Sequence, residues 1–134
     1  MLMSTTVITS LSNAKIKNIR KLRNRKSREA SGLAYIEGLK IVGEALEAGM
    51  AFQELIWCPE LLNSDFGRKL VATCEQSGVN ILEVNNQVFE SISLKDGPQG
   101  IAAVIKQKQM YIEDLEHSEV NFGLALYAVA DPGN

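Results

Sequence analysis

The sequence predicts an α/β protein, a three-layer α/β/α sandwich, and three observations carry that prediction. From Ala34 to Lys106, short apolar segments alternate with longer ones whose apolar residues recur at helical spacing. Gly or Pro stands at most junctions between the two kinds of segment, at Gly38, Gly49, Pro59, Gly78 and Gly100. The composition of the 134 residues, 46% hydrophobic and 22% charged, excludes disordered, collagen-like and low-complexity classes.

A chain of this size can bury roughly two thirds of its unfolded surface and needs no covalent staple. Cys58 and Cys74 lie in apolar surroundings without the Cys-x-x-Cys spacing of a zinc or redox site, so both read as buried small hydrophobes.

Ser10-Leu11-Ser12-Asn13 offers N-cap residues, and Ile16, Ile19 and Leu22 follow at helical spacing, which predicts one helix through about Arg28. At about 100° per residue, Lys17, Arg20, Lys21, Arg25 and Arg28 fall opposite the apolar stripe and form one basic face. Arg23 and Lys26 fall on the apolar side. Either the helix leaves the core near Leu22, or these two stems run along its edge.

Ala34-Tyr35-Ile36-Glu37 reads as a short strand ending at Gly38, followed by a helix with Leu39, Val42, Ala45 and Leu46 inward and Gly49 as its stop. Phe52 to Cys58 is a second strand closed by Pro59. Phe66, Leu70, Val71 and Cys74 make the inward stripe of a helix ended by Gly78. Asn80 to Val84 is a third strand. Asn86 to Ser93 is a short helix with Val88, Phe89 and Ile92 inward, and Ile101 to Lys106 is a fourth strand after the turn Asp96-Gly97-Pro98-Gln99-Gly100.

From Gln107 to Ser118 the chain turns polar, and 107–118 reads as a linker after a domain spanning 1–106. Beyond it, in 119–134, Leu124 to Ala130 is a wholly apolar segment of the kind that forms a strand buried on both faces of a parallel sheet. The sequence stops at Asp131-Pro132-Gly133-Asn134, the corner at which open α/β sheets place ligand sites, so this part reads as the truncated start of a second domain. Residues before Ser10 and 107–118 lack apolar periodicity and are expected to be poorly ordered.

No apolar run approaches the ~18 residues of a membrane span and no targeting segment opens the chain, so a cytoplasmic protein without membrane contact is expected. The net charge of −2 conceals a strong asymmetry. Residues 1–40 carry nine bases against Glu29 and Glu37, while the remainder carries five bases against fourteen acids. Eight of the bases stand in 15–28, with Glu29 as the one nearby acid. Such a cluster repels itself unless a polyanion is present, which points to nucleic acid, although a merely solvated helix face explains it too. Few aromatics accompany the bases, so phosphate and shape recognition is favoured over base stacking.

No phosphate-binding loop, dinucleotide fingerprint or zinc-protease motif occurs. His117, the single histidine, lies in the polar linker and reads as solvated. Glu44 and Glu47 face away from their helix's inward stripe, and Glu113, Asp114, Glu116 and Glu119 read as linker solvation. No metal site is expected.

Ser12-Asn13-Ala14-Lys15-Ile16-Lys17-Asn18-Ile19, Arg28 to Gly38, and Val42-x-Glu44-Ala45-Leu46 closely resemble the N-terminal substrate-binding domain of the SpoU (TrmH-type) RNA ribose 2′-O-methyltransferases. Pro98-Gln99-Gly100-Ile101-Ala102-Ala103-Val104 is similar to the last turn and strand of that domain, and Tyr127 to Asn134 to the opening of the family's first catalytic motif. The resemblance implies an RNA-binding sandwich with a mixed sheet, similar to ribosomal and kink-turn-binding proteins. It also implies that a trefoil-knotted domain follows, which binds S-adenosylmethionine and dimerises.

By that resemblance Asn134 begins the family's catalytic motif, which continues to a glycine and an arginine that the given residues do not include. The expectation is therefore an RNA-recognition module for structured rRNA or tRNA that holds no cofactor, is inactive by itself and is monomeric, within an intact protein that is a homodimeric enzyme. The RNA-binding candidates are Asn13, Lys15, Lys17, Arg20, Lys21, Arg25, Arg28 and Gln99. Asn13 reads equally as a helix cap or as an RNA contact. A stand-alone RNA-binding protein of the kink-turn or ribosomal type, and a module docking on an acidic partner, remain alternatives.

Overall fold

The computed structural model describes residues 6–115 and 122–130. The elements are α1 (Ala14–Lys21), α2 (Arg25–Ser31), β1 (Leu33–Glu37), α3 (Leu39–Glu47), β2 (Phe52–Trp57), α4 (Asp65–Gln76), β3 (Asn80–Glu83), α5 (Asn86–Ile92), β4 (Ile101–Lys106) and α6 (Ile112–Leu115).

The four strands form one mixed sheet in the order β1-β4-β2-β3, with β4 antiparallel to both β1 and β2, and β2 parallel to β3. The run Ile101-Ala102-Ala103-Val104-Ile105 is buried throughout because it is a central strand with helices on both faces. Ala102 and Val104 point to a core with Ile56, Leu82, Ile16 and Ile19 of α1, and Val88, Phe89 and Ile92 of α5. Ile101, Ala103 and Ile105 point to the opposite core, with Leu55, Val42 of α3, and Leu70, Val71 and Cys74 of α4. Two cores on one sheet make the three layers, and both cysteines are free and buried.

Four sequence expectations are corrected. The basic segment is two helices and not one, since α1 ends at Lys21 and Asn24 caps α2 by accepting a hydrogen bond from Lys26 N at 2.8 Å. An Asn that bonds its own backbone two residues on competes with helix continuation, and here it wins because α2 buries no residue that would hold the helix straight.

Phe66 is 51% exposed, and the inward stripe of α4 is Gly67, Leu70, Val71 and Cys74. Gly67 belongs in it because a Cβ there would meet Leu62 Cδ1 at 2.6 Å and Leu39 Cδ2 at 2.8 Å. The segment before Ser10 contributes to the sheet. Ile8 bridges Val84 in parallel, with Ile8 N donating to Glu83 O at 2.8 Å and Asn85 N to Ile8 O at 3.3 Å.

Finally, the apolar stretch 124–130 is not a strand, and Leu124, Leu126 and Tyr127 are exposed. A strand needs a ladder partner and a covering layer, and the described residues offer it neither. Within 107–118, residues Ile112–Leu115 form the short α6. His117, Glu116, Glu119 and Asn134 lie outside the described residues.

Candidate nucleic-acid interface

The α1–α2 break decides what the basic residues do. Arg28 Nη1 donates to Leu22 O and Arg23 O, each at 2.8 Å, so its guanidinium closes the carbonyl end of α1. Arg23 Nη2 reaches Ser91 O and Ser93 O, each at 3.0 Å, and joins the interhelical turn to the end of α5. Arg20 donates to Leu11 O, and Arg25 pairs with Glu29 at 2.7 Å. Lys15 stands 3.4 Å from Glu54.

Of the predicted cations, only Lys17 and Lys21 have side chains without a hydrogen bond or ion pair among the described residues, and Lys26 joins them as a third free lysine. The expected continuous five-residue basic face is thus replaced by three free lysines on two short helices. The arginines are engaged by backbone carbonyls and by Glu29.

Asn13 Oδ1 accepts from Lys15 N at 2.9 Å, which is the geometry of a helix cap. Gln99 lies far from the basic helices in sequence and caps a different one: its Oε1 accepts from Leu39 N at 3.0 Å, across the start of α3. Gly38 at this corner has φ +105°, and a Cβ would meet Lys95 Nζ at 2.8 Å and Gln99 Oε1 at 3.1 Å. The corner needs glycine for its backbone angle, whereas Lys95 Nζ is the far end of a flexible side chain that can move aside.

Two acids that sequence reasoning passed over shape the surroundings. Glu37, 5% exposed, accepts from Ser93 Oγ at 2.6 Å, Leu94 N at 2.8 Å and Tyr35 Oη at 3.2 Å. Burial, reinforced by the neighbouring Glu37 charge, drives the Tyr35 hydroxyl far above the ordinary phenol range.

Glu54 accepts from Asn80 Nδ2 at 3.2 Å, and the same Oε1 faces Lys15. Both acids occupy the inward phase of their strands, Glu37 with Leu33 and Tyr35, and Glu54 with Ile56 and Cys58. A charge at an inward strand position is the signal that could have found them.

Glu54 also lines a recess of about 310 Å³ between α1, α2 and the sheet. Ile19, Leu22, Leu33 and Val104 make its apolar floor. Lys15, Asn18, Lys21, Ser27 and Gln53 supply polar groups around it.

The glycine-bearing turn before β4 is closed, since a Cβ on Gly100 would meet Leu61 Cβ and Leu62 N at 2.8 Å. Among the described residues no group of three His, Cys, Asp or Glu side chains is placed to hold a metal ion, and no helix is long and apolar enough to cross a membrane.

Fold and surface define a binding module, a helix-flanked mixed sheet that carries free lysines beside a recess with an apolar floor and a polar rim. The chain belongs to the MRM3-like substrate binding domain family, whose match covers residues 13–103. It is 27% identical over 128 residues to the 23S rRNA (guanosine(2553)-2′-O)-methyltransferase RlmP of Bacillus subtilis, covering 95% of this chain and 46% of that protein.

Among solved structures it is similar to an RNA 2′-O ribose methyltransferase, at TM-score 0.71 and 27% identity over 80% of this chain and 40% of that one. It is also similar to the AdoMet-bound rRNA methyltransferase of Sinorhizobium meliloti, at TM-score 0.67 and 30% identity over 81% of this chain and 39% of that one. The chain spans less than half the length of the curated relatives it matches. The sequence resemblance to the substrate-binding domain of SpoU-type methyltransferases is thereby borne out.

Proposed function

We propose that this chain is the RNA-recognition domain of an S-adenosylmethionine-dependent rRNA or tRNA ribose 2′-O-methyltransferase. The observation that carries this reading is the family match to a substrate-binding domain, set beside three free lysines grouped on α1 and α2. Selecting one ribose among thousands takes binding energy from RNA contacts remote from the reacting atoms, and a separate cationic module supplies it.

Cofactor binding and methyl transfer belong, in this reading, to a further domain that also forms the homodimer of the intact protein. The 134 residues alone are monomeric and inactive, and Asn134 opens the catalytic motif of the intact enzyme. Two modules in such a dimer raise the effective concentration of RNA at the second module once the first has bound.

The test is fluorescence anisotropy of a labelled structured rRNA fragment with the 134-residue chain, with unlabelled RNA and polyglutamate as competitors. Competition by RNA alone is the expected result. Displacement by polyglutamate at equal charge concentration favours an acidic protein partner and overturns the reading.

A further inference from the structure

Resting on that RNA reading, we infer that the recess between α1, α2 and the sheet receives one unpaired nucleobase carrying an exocyclic amino group. Its volume of about 310 Å³ stands at the small end of ligand sites, which span roughly 300–1,000 Å³, and suits a single base with part of its ribose. The floor of Leu22 and Leu33 is aliphatic and offers an apolar surface for one face of a flat ring.

The polar wall is selective. Glu54 Oε1 is occupied by Lys15 and Asn80, whereas Oε2 has no partner among the described residues, and the side chain is only 15% exposed. An unpartnered carboxylate oxygen lining the recess accepts from N–H and repels carbonyl oxygens. Adenine, cytosine and guanine present an amino group to it. Uracil presents an imide N–H flanked by two carbonyls, and those carbonyls face the carboxylate unfavourably.

Asn18 and Gln53, whose amides make no hydrogen bond among the described residues, can serve the remaining edge of the base. Lys21 stands at the same recess, free for the phosphate that follows. Phosphate contact and base contact are thereby divided between two chemistries, as RNA recognition at unpaired nucleotides requires.

The experiment compares oligo(A), oligo(C) and oligo(U) of equal length, whose phosphate charge is identical, by anisotropy and by amide chemical shifts of the ¹⁵N-labelled chain. Oligo(A) and oligo(C) are expected to bind about tenfold more tightly than oligo(U), the size of one base contact, and to shift the amides of Leu33 and Glu54. Glu54→Gln, with its melting temperature checked, should erase the difference by admitting uracil. Asn18→Trp, at an exposed position on the recess, should block the preference without unfolding the chain.

Equal affinities for the three oligomers with unmoved pocket amides overturn the base pocket and leave the RNA reading standing. Failure of all three oligomers and of structured rRNA to bind overturns both.

Discussion

Glu37, at the last position of β1, holds Leu94 through a 2.8 Å hydrogen bond from the Leu94 amide, 57 residues further along the chain. With Ser93 Oγ at 2.6 Å and Tyr35 Oη at 3.2 Å on the same carboxylate, this side chain ties the exit of α5 to the corner where α3 begins. Arg23 reaches the same exit from the α1–α2 turn through Ser91 O and Ser93 O. The basic helices and the glycine corner are therefore held to one loop.

Replacing Glu37 with Ala leaves the Leu94 amide and the Tyr35 hydroxyl without that acceptor, while Ser93 Oγ keeps Lys95 O, at a cost of about 2 kcal/mol of stability from unsatisfied groups. Urea denaturation should show that loss, and hydrogen exchange at the Leu94 amide should accelerate. A change below about 0.5 kcal/mol, the range of an ordinary surface substitution, would mean that the network is incidental.

Tyr35 makes stability depend on alkaline pH. Its folded-state hydroxyl titrates far above the unfolded value of about 10, because of burial and then the Glu37 charge. Above that value the unfolded chain loses a proton that the native state keeps, so the unfolded state gains and stability falls as pH rises past about 10. Urea midpoints for the native chain should drop between about pH 9 and pH 11, and Tyr35→Phe should remove part of that drop. An unchanged pH profile in the Phe variant would contradict the assignment.

Cys58 and Cys74 are free and buried, and burial raises both thiols above their ordinary range. Since the thiolate is the reactive form, both should resist a disulfide reagent at neutral pH in the folded chain and react promptly in urea. Rapid modification of the native protein would show that one core opens locally.

The elements from Ala34 to Lys106 are legible in the sequence because each is set by local periodicity and punctuated by a residue that cannot continue it. The buried run Ile101–Ile105 and the stripe Leu70, Val71 and Cys74 are cases in which pattern and packing coincide. The break at Asn24 is hidden because basic residues fill both sides of it, so no apolar period is interrupted there. It depends on a side-chain-to-backbone bond that competes with the helix.

The site is less legible because its partners are distant in sequence. Charge clustering locates the basic segment but cannot reveal that Arg23 bonds carbonyls 68 and 70 residues away, or that Gln99 caps a helix 60 residues earlier. Glu54 and Asn80, 26 residues apart, meet only because β2 and β3 pair in parallel, with these two residues in register. The count of bases therefore overstates the number of cationic side chains without a partner among the described residues.

That distinction yields a prediction which separates two sets of cations of the same sign. Lys17, Lys21 and Lys26 are unpaired among the described residues, whereas Arg28 caps α1 through two carbonyls. Reversing the three lysines to Glu should leave urea stability within about 0.5 kcal/mol, as expected for surface sites. The same change should weaken RNA binding and lower the log–log salt slope by about 2, at roughly 0.7–0.9 for each phosphate no longer neutralised. Arg28→Ala should behave in the opposite way, losing about 1 kcal/mol of stability from its hydrogen bonds while the salt slope stays near that of the native chain. Equal slopes for the native and triple-Glu chains would show that these lysines do not meet phosphate, and a lowered slope for the folded part of the Arg28→Ala population would return the arginine to the interface.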